Sequence, residues 1–200
     1  MLLMGAETRS FSGSTVAQSW RVRHERTRKP RPPLNGEGLE RLALFYAGRY
    51  ATTRAKLSAY LTRKLAERGW AGEGRMDGAV EKLVGRMTEA GYVNDRLFAE
   101  SKAASLGRRG YGERRVRQAL AAAGIAEADS AEARSAAEEG AWAAALRFAE
   151  RKRLGPFASE ASDRAGREKA IAAFLRAGHP SAIARRLASA APGAVPDPDA

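Results

Sequence analysis

The segment Phe98-Ala99-Glu100-Ser101-Lys102 returns 50 residues later as Phe148-Ala149-Glu150-Arg151-Lys152, and Tyr46-Ala47-Gly48-Arg49 stands in the corresponding place 52 residues before Phe98. Three glycines keep nearly the same interval, with 55 residues from Gly69 to Gly124 and 54 from Gly124 to Gly178. Two independent markers therefore share one period, and three copies of a unit of about 50 residues follow. A unit that short has room for three helices and too little apolar surface to bury a core well alone, so neighbouring units must stack. This predicts an all-α fold of three tandem three-helix repeats forming an elongated, curved array.

The apolar pattern within each unit has helical spacing. Leu39, Leu42, Ala43 and Tyr46 fall at i, i+3, i+4 and i+7, as do Val80, Leu83, Val84 and Met87, and Val116, Ala119, Leu120 and Ala123. Trp142, Ala145, Leu146 and Ala149 repeat it, and Ile171, Phe174 and Leu175 lead to Gly178. Such spacing aligns apolar side chains on one helix face, whereas a half-buried strand would alternate. Tyr46, Phe98, Trp142, Phe148 and Phe174 are accordingly expected in the core. Trp20 and Trp70 lie outside clean periodic runs and are candidates for docking on a partner. Gly69, Gly91, Gly124 and Gly178 follow periodic runs, where positive φ closes a helix. Thr52 or Thr53, Asn94, Ser130 and Ser181 are placed to cap helix starts.

Composition divides the chain. Residues 1–38 are rich in Ser, Thr, Pro and Gly and hold seven basic against three acidic residues, including the run Arg21 to Arg31. They are read as a flexible basic extension, followed by repeats at 39–93, 94–140 and 141–191 and a disordered tail at 192–200. Net charge is +12, which attracts polyanions or acidic protein surfaces. The excess is uneven. Arg96 to Arg117 holds seven basic residues against Glu100 and Glu113, whereas Ala126 to Glu139 holds five acids against Arg134.

The chain has no cysteine and only His24 and His179, so thiolate chemistry, multi-histidine metal sites and the usual catalytic triads lack parts. Asp77 with Glu81 and the pair Glu138-Glu139 read as solvated helix residues, and Gly110 and Gly112 as a turn, since no Lys-Ser or Lys-Thr follows in nucleotide-loop spacing. No enzyme activity, cofactor or metal is expected. Absence of cysteine fits a reducing compartment, and no apolar run long enough to span a bilayer occurs, so a cytoplasmic, membrane-free protein is expected.

From Gly91-Tyr92-Val93-Asn94-Asp95 and Phe98-Ala99 onward, the sequence resembles the RecX family. The resemblance continues through Arg108-Arg109-Gly110-Tyr111-Gly112, then Arg114, Arg115 and Arg117, then Gly124-Ile125. It resumes at Ala149-Glu150-Arg151-Lys152-Arg153-Leu154-Gly155-Pro156 and at Arg176-Ala177-Gly178, and spans about Leu39 to Ala190. Thr53-Arg54-Ala55-Lys56-Leu57 departs from it, with Thr and Lys where the family pattern has Ser and an acidic or amide residue.

The resemblance implies a non-catalytic, monomeric regulator that lies in the groove of the RecA–DNA filament. Such a regulator inhibits RecA ATP hydrolysis, strand exchange and filament growth, and so modulates DNA repair, recombination and the SOS response. Arg108, Arg109, Arg114, Arg115 and Arg117, then Arg151, Lys152 and Arg153, are the candidates to meet acidic RecA loops or the phosphates of single- or double-stranded DNA. Two alternatives remain open: a basic helical nucleic-acid-binding protein without RecA specificity, and a helical adaptor for another acidic protein.

Overall fold

The computed structural model describes residues 31–198, and within them residues 32–198 belong to one compact unit. Trp20 and the part of the expected flexible run from Arg21 to Pro30 lie outside the described residues. Among the described residues nine α-helices follow in order: α1 Gly36–Arg49, α2 Arg54–Arg68, α3 Met76–Glu89, α4 Asp95–Arg108, α5 Glu113–Ala122, α6 Glu127–Glu139, α7 Ala141–Lys152, α8 Arg164–Ala177 and α9 Ser181–Ser189. A single 3₁₀ turn, Gly155–Phe157, connects α7 to α8. Among the described residues the only β pairing is one isolated bridge between Leu34 and Trp70. The chain is an all-α helical repeat array.

Four helices start at a residue whose side chain accepts an otherwise unpaired backbone N–H: Asn35, Thr53, Asn94 and Asp163. Each such cap stabilises by about 1 kcal/mol. Thr53 and Asn94 were expected. Ser130 instead lies inside α6, where its hydroxyl donates to the Glu127 carbonyl, and Ser181 is the first helical residue after Pro180. Both corrections have one cause. Ala126 and Pro180 occupy the position that opens each helix, and neither side chain carries an oxygen to accept a backbone N–H, so no side-chain cap is made.

The buried residues gather into three clusters in chain order. The first joins Leu39 and Ala43 of α1, Leu57, Leu61 and Leu65 of α2, and Val80, Leu83, Val84 and Met87 of α3. Leu57, Leu61 and Leu65 recur every fourth residue, so α2 turns one face to the core, and each fully buried leucine contributes about 1.5–3 kcal/mol. Leu34 completes this cluster. Its N–H donates to the Gly69 carbonyl and its carbonyl accepts from Ala71, so the body begins ahead of residue 39, inside what the sequence presents as flexible extension. A lone leucine between Pro33 and Asn35 has no periodicity to announce it.

The second cluster is leaner, with Ala99, Ala103 and Ala133 on facing helices and Leu106, Val116, Leu120 and Ile125 around them. Alanine here lets α4 and α6 approach closely, and theirs is the most extensive helix contact in the fold. The third holds Phe148, Phe174, Ala184 and Leu187, its two phenylalanine rings tilted with centroids 5.1 Å apart. Tyr46, Phe98 and Trp142 are half-buried against their clusters; Leu175, on the stripe expected to be apolar and buried, is exposed. The tail expected to be disordered is hydrogen-bonded over part of its length: Gly193 N donates to Pro156 and Arg186 Nη1 to the Pro198 carbonyl. Its prolines bar a helix without preventing such contacts.

What joins the clusters explains the glycine period. At the first joint the start of α2 meets the end of α5, where Thr53 Oγ1 donates to the Ala123 carbonyl at 2.7 Å. At the second, the start of α5 meets the end of α8 in the same sense, Gly112 N donating to Ala177 O at 3.0 Å and Arg114 N to Gly178 O at 3.2 Å. Each contact sets the positive end of one helix dipole against the negative end of another and satisfies carbonyls a helix leaves unpaired. A Cβ on Gly124 would stand 2.3 Å from that of Ala55, and one on Gly178 would stand 2.5 Å from Arg115 N. Both glycines also have positive φ. At these two places glycine is thus required twice over, by the turn and by the neighbour it admits, whereas at Gly69 the positive φ alone requires it.

Candidate functional site

The second joint is where the basic residues converge. After Arg108 the chain reverses through Gly110, at φ 73°, and places Tyr111 half-buried against both the second and third clusters. The guanidinium carbons of Arg109, Arg115 and Arg151 stand 5.2, 6.0 and 5.6 Å from the centre of the Tyr111 ring. Three charges from three elements share one aromatic ring, whose electron-rich face offsets part of their mutual repulsion. Arg151 also donates to the Arg109 carbonyl, and Arg147 Nε donates to the Gly107 carbonyl at 3.1 Å. Cations of α7 therefore close the negative end of α4.

The remaining candidates divide. Lys152 lines the cleft beside Tyr111, a space of about 530 Å³ also bounded by Phe148, Arg151 and Arg176. Arg117 is drawn back along its own helix to Glu113, at 3.4 Å. Arg108, Arg114 and Arg153 are exposed and make no ion pair among the described residues. Arg153 has φ 53°, the one positive value among the described non-glycine residues, and ends α7 in a left-handed turn. Arg96, part of the same basic stretch, is engaged with Glu132 and Glu100, and the Glu132 carboxylate raises its guanidinium pKa. Of the basic run, then, the portion around Tyr111 is presented outward, and its two outer arginines are held by acids of their own unit.

Sequence reasoning missed three participants. Tyr111 reads as one more turn residue, and nothing in its spacing marks it as the support for three arginines. Arg176 enters the cleft from α8, far along the chain. His179 is buried at the joint, its Nε2 donating to the Gly110 carbonyl at 3.1 Å between the rings of Phe148 and Phe174. Desolvation lowers its pKa, more than the carbonyl contact raises it. Trp70, a candidate for docking on a partner, packs against the first cluster and donates from its indole N–H to Gly74. Asp77, Glu81, Glu138 and Glu139 are exposed, and among the described residues no three His, Asp or Glu side chains are grouped to hold a metal. No described helix is long and apolar enough to cross a membrane.

Comparison with known proteins meets the same region. Residues 94–133 match the family model for RecX, second three-helix domain, which takes in α4, α5 and most of α6. The regulatory protein RecX of Myxococcus xanthus (strain DK1622) is 34% identical over 160 residues, covering 77% of this chain and 86% of that one. The chain belongs to the RecX family. The RecX fold extends the agreement to architecture: the crystal structure of RecX from Lactobacillus salivarius superposes with a TM-score of 0.56 over 74% of this chain and 91% of that one, at 19% identity. This RecX-family chain carries Arg109, Tyr111 and Arg115 inside the segment that the family model covers, and Arg151 comes to them from beyond it.

Proposed function

We propose that this protein regulates the RecA recombinase by binding along the RecA–DNA filament and restraining its ATP hydrolysis and growth, without chemistry of its own. The observation that carries the reading is the Tyr111 cluster, where Arg109, Arg115 and Arg151 are held on a rigid joint between two helical units. Side chains fixed in this way meet an acidic partner without losing the rotamer freedom that loose surface arginines would. Arg108, Arg114, Lys152 and Arg153 widen the contact, and Arg117 enters it once released from Glu113. Repeats at 39–93, 94–140 and 141–191 act as successive contact modules of a cytoplasmic monomer, Leu34 belonging with the first.

Adding the purified protein to RecA on single-stranded DNA should slow ATP hydrolysis. Changing Arg108, Arg109, Arg114 and Arg115 together to Glu should abolish most of that effect while leaving helicity intact. Unaltered inhibition by the charge-reversed protein would overturn the assignment. Arginines around an aromatic ring also suit a phosphate backbone directly, and salt separates the two readings. Binding to DNA alone should fall steeply with ionic strength, whereas a packed protein interface keeps an apolar component.

A further inference from the structure

Seven large apolar side chains are exposed among the described residues, and three of them, Tyr50, Tyr92 and Leu97, line one groove between the end of α1 and the outer face of α4. They are 50%, 57% and 61% exposed. Exposed apolar residues scattered singly are ordinary, but three converging on one concavity mark an interaction surface. The groove holds about 640 Å³ and continues over Ala47, Ala51 and Phe98. Tyr50 is held in place from behind. Its ring lies 5.4 Å from that of Tyr46, which in turn stacks on Tyr60 at 4.2 Å.

The charge around this apolar floor has one sign. Lys56 and Lys102 are among its lining residues and no Asp or Glu is. Lys56 Nζ stands 4.6 Å from the centre of the Phe98 ring, and Lys102 makes no ion pair among the described residues. We propose that this groove docks an acidic peptide segment bearing a bulky apolar side chain, the apolar group seated against Tyr50, Tyr92 and Leu97 and its flanking carboxylates facing the two lysines. A nucleic-acid strand suits it less well. Leu97, Ala47 and Ala51 offer no face for base stacking, and two lysines are few to follow a phosphate backbone, for which the arginines at Tyr111 are better placed. The proposal concerns a surface separate from the Tyr111 cluster and does not depend on the RecA reading.

The test is fluorescence anisotropy on the full chain, with a short labelled peptide in which several aspartates flank a Leu-Phe pair. It should bind, and Leu97→Ser or Lys102→Glu should each weaken it about tenfold, in the range of an interface anchor. Both residues are exposed, so helicity and urea midpoint should stay unchanged. A peptide with Ser in place of Leu and Phe should bind at least about tenfold less tightly. Arg109→Glu should leave peptide affinity alone, which separates this surface from the one proposed for RecA. Equal affinity for the Ser-substituted peptide, or indifference to both substitutions, would overturn the proposal. So would an oligothymidine that binds in a Leu97-dependent manner while the peptide does not, since that assigns the groove to nucleic acid.

Discussion

The Thr53 hydroxyl donates to the Ala123 carbonyl at 2.7 Å and accepts from Lys56 N at 3.2 Å, so one fully buried oxygen caps the start of α2 and closes the end of α5. Thr53→Val keeps the shape and removes both bonds. Losing a cap and leaving a buried carbonyl unpaired should together cost about 2–3 kcal/mol. Urea unfolding of Thr53→Val beside Thr53→Ser checks this, because Ser retains the oxygen and should lose under about 1 kcal/mol.

Arg54 crosses the same joint. The buried Asp95 carboxylate accepts from Arg54 N at 2.9 Å and from Arg54 Nε at 3.2 Å, and the guanidinium also pairs with Asp129. Arg54→Ala leaves Asp95 with the backbone bond alone and should destabilise the chain by about 1–3 kcal/mol. Asp95→Asn with Arg54 intact should cost comparably. If the double variant loses the sum of the two single losses, the residues are not coupled as the geometry says.

Glycine substitutions should rank by what the new methyl meets. Gly91 has positive φ with open space around it, so Gly91→Ala should cost only the conformational strain, about 1–2 kcal/mol. Gly178→Ala adds a clash with the backbone of Arg115, and Gly112→Ala would press a Cβ to within 2.3 Å of the Gly178 carbonyl oxygen. Both should exceed Gly91→Ala by more than about 1 kcal/mol. Thermal melts of the three proteins would expose an inverted order.

His179 makes the second joint sensitive to acid. Burial pushes its pKa below the ordinary value of 6.5, so between pH 6.5 and its lower folded pKa the unfolded chain binds more protons than the folded one. Stability from this residue is therefore complete above about pH 6.5 and is lost as pH falls through that window. Its Nδ1 is buried without a hydrogen-bond partner, so protonation there would place a charged N–H in an apolar pocket between Phe148 and Phe174. Urea midpoints near pH 7.5 and pH 5.5 should differ more for the native chain than for His179→Gln. Equal differences would remove His179 as the cause.

Tyr111→Ala should loosen the arginine cluster without changing its charge. Each guanidinium–ring contact at an exposed site is worth about 0.5–1 kcal/mol, so inhibition of RecA should weaken several-fold, less than on reversing the arginines themselves. Because Tyr111 also packs against two cores, Tyr111→Leu, which keeps apolar bulk, separates lost packing from the lost ring: it should retain stability and show the same several-fold weakening.

The sequence by itself determined that the chain is helical and marked several buried faces, since spacings such as Val80, Leu83, Val84 and Met87 are local consequences of a 3.6-residue turn. It also marked the arginines and the recurring glycines. Only the tertiary structure decided which of those arginines gather at Tyr111, that Arg96 and Arg117 are engaged within their own unit, and that Leu34 belongs to the core. Apart from the i,i+4 pairs Arg117–Glu113 and Arg96–Glu100, those outcomes rest on pairings across 30 or more residues, such as Arg96 with Glu132, Arg109 and Tyr111 with Arg151, or Leu34 with Gly69 and Trp70. Local periodicity carries no information about such partners. The glycines show both levels at once: the chain announces where helices end, and the fold alone reveals that the endings at Gly124 and Gly178 are also sockets for a neighbouring helix start.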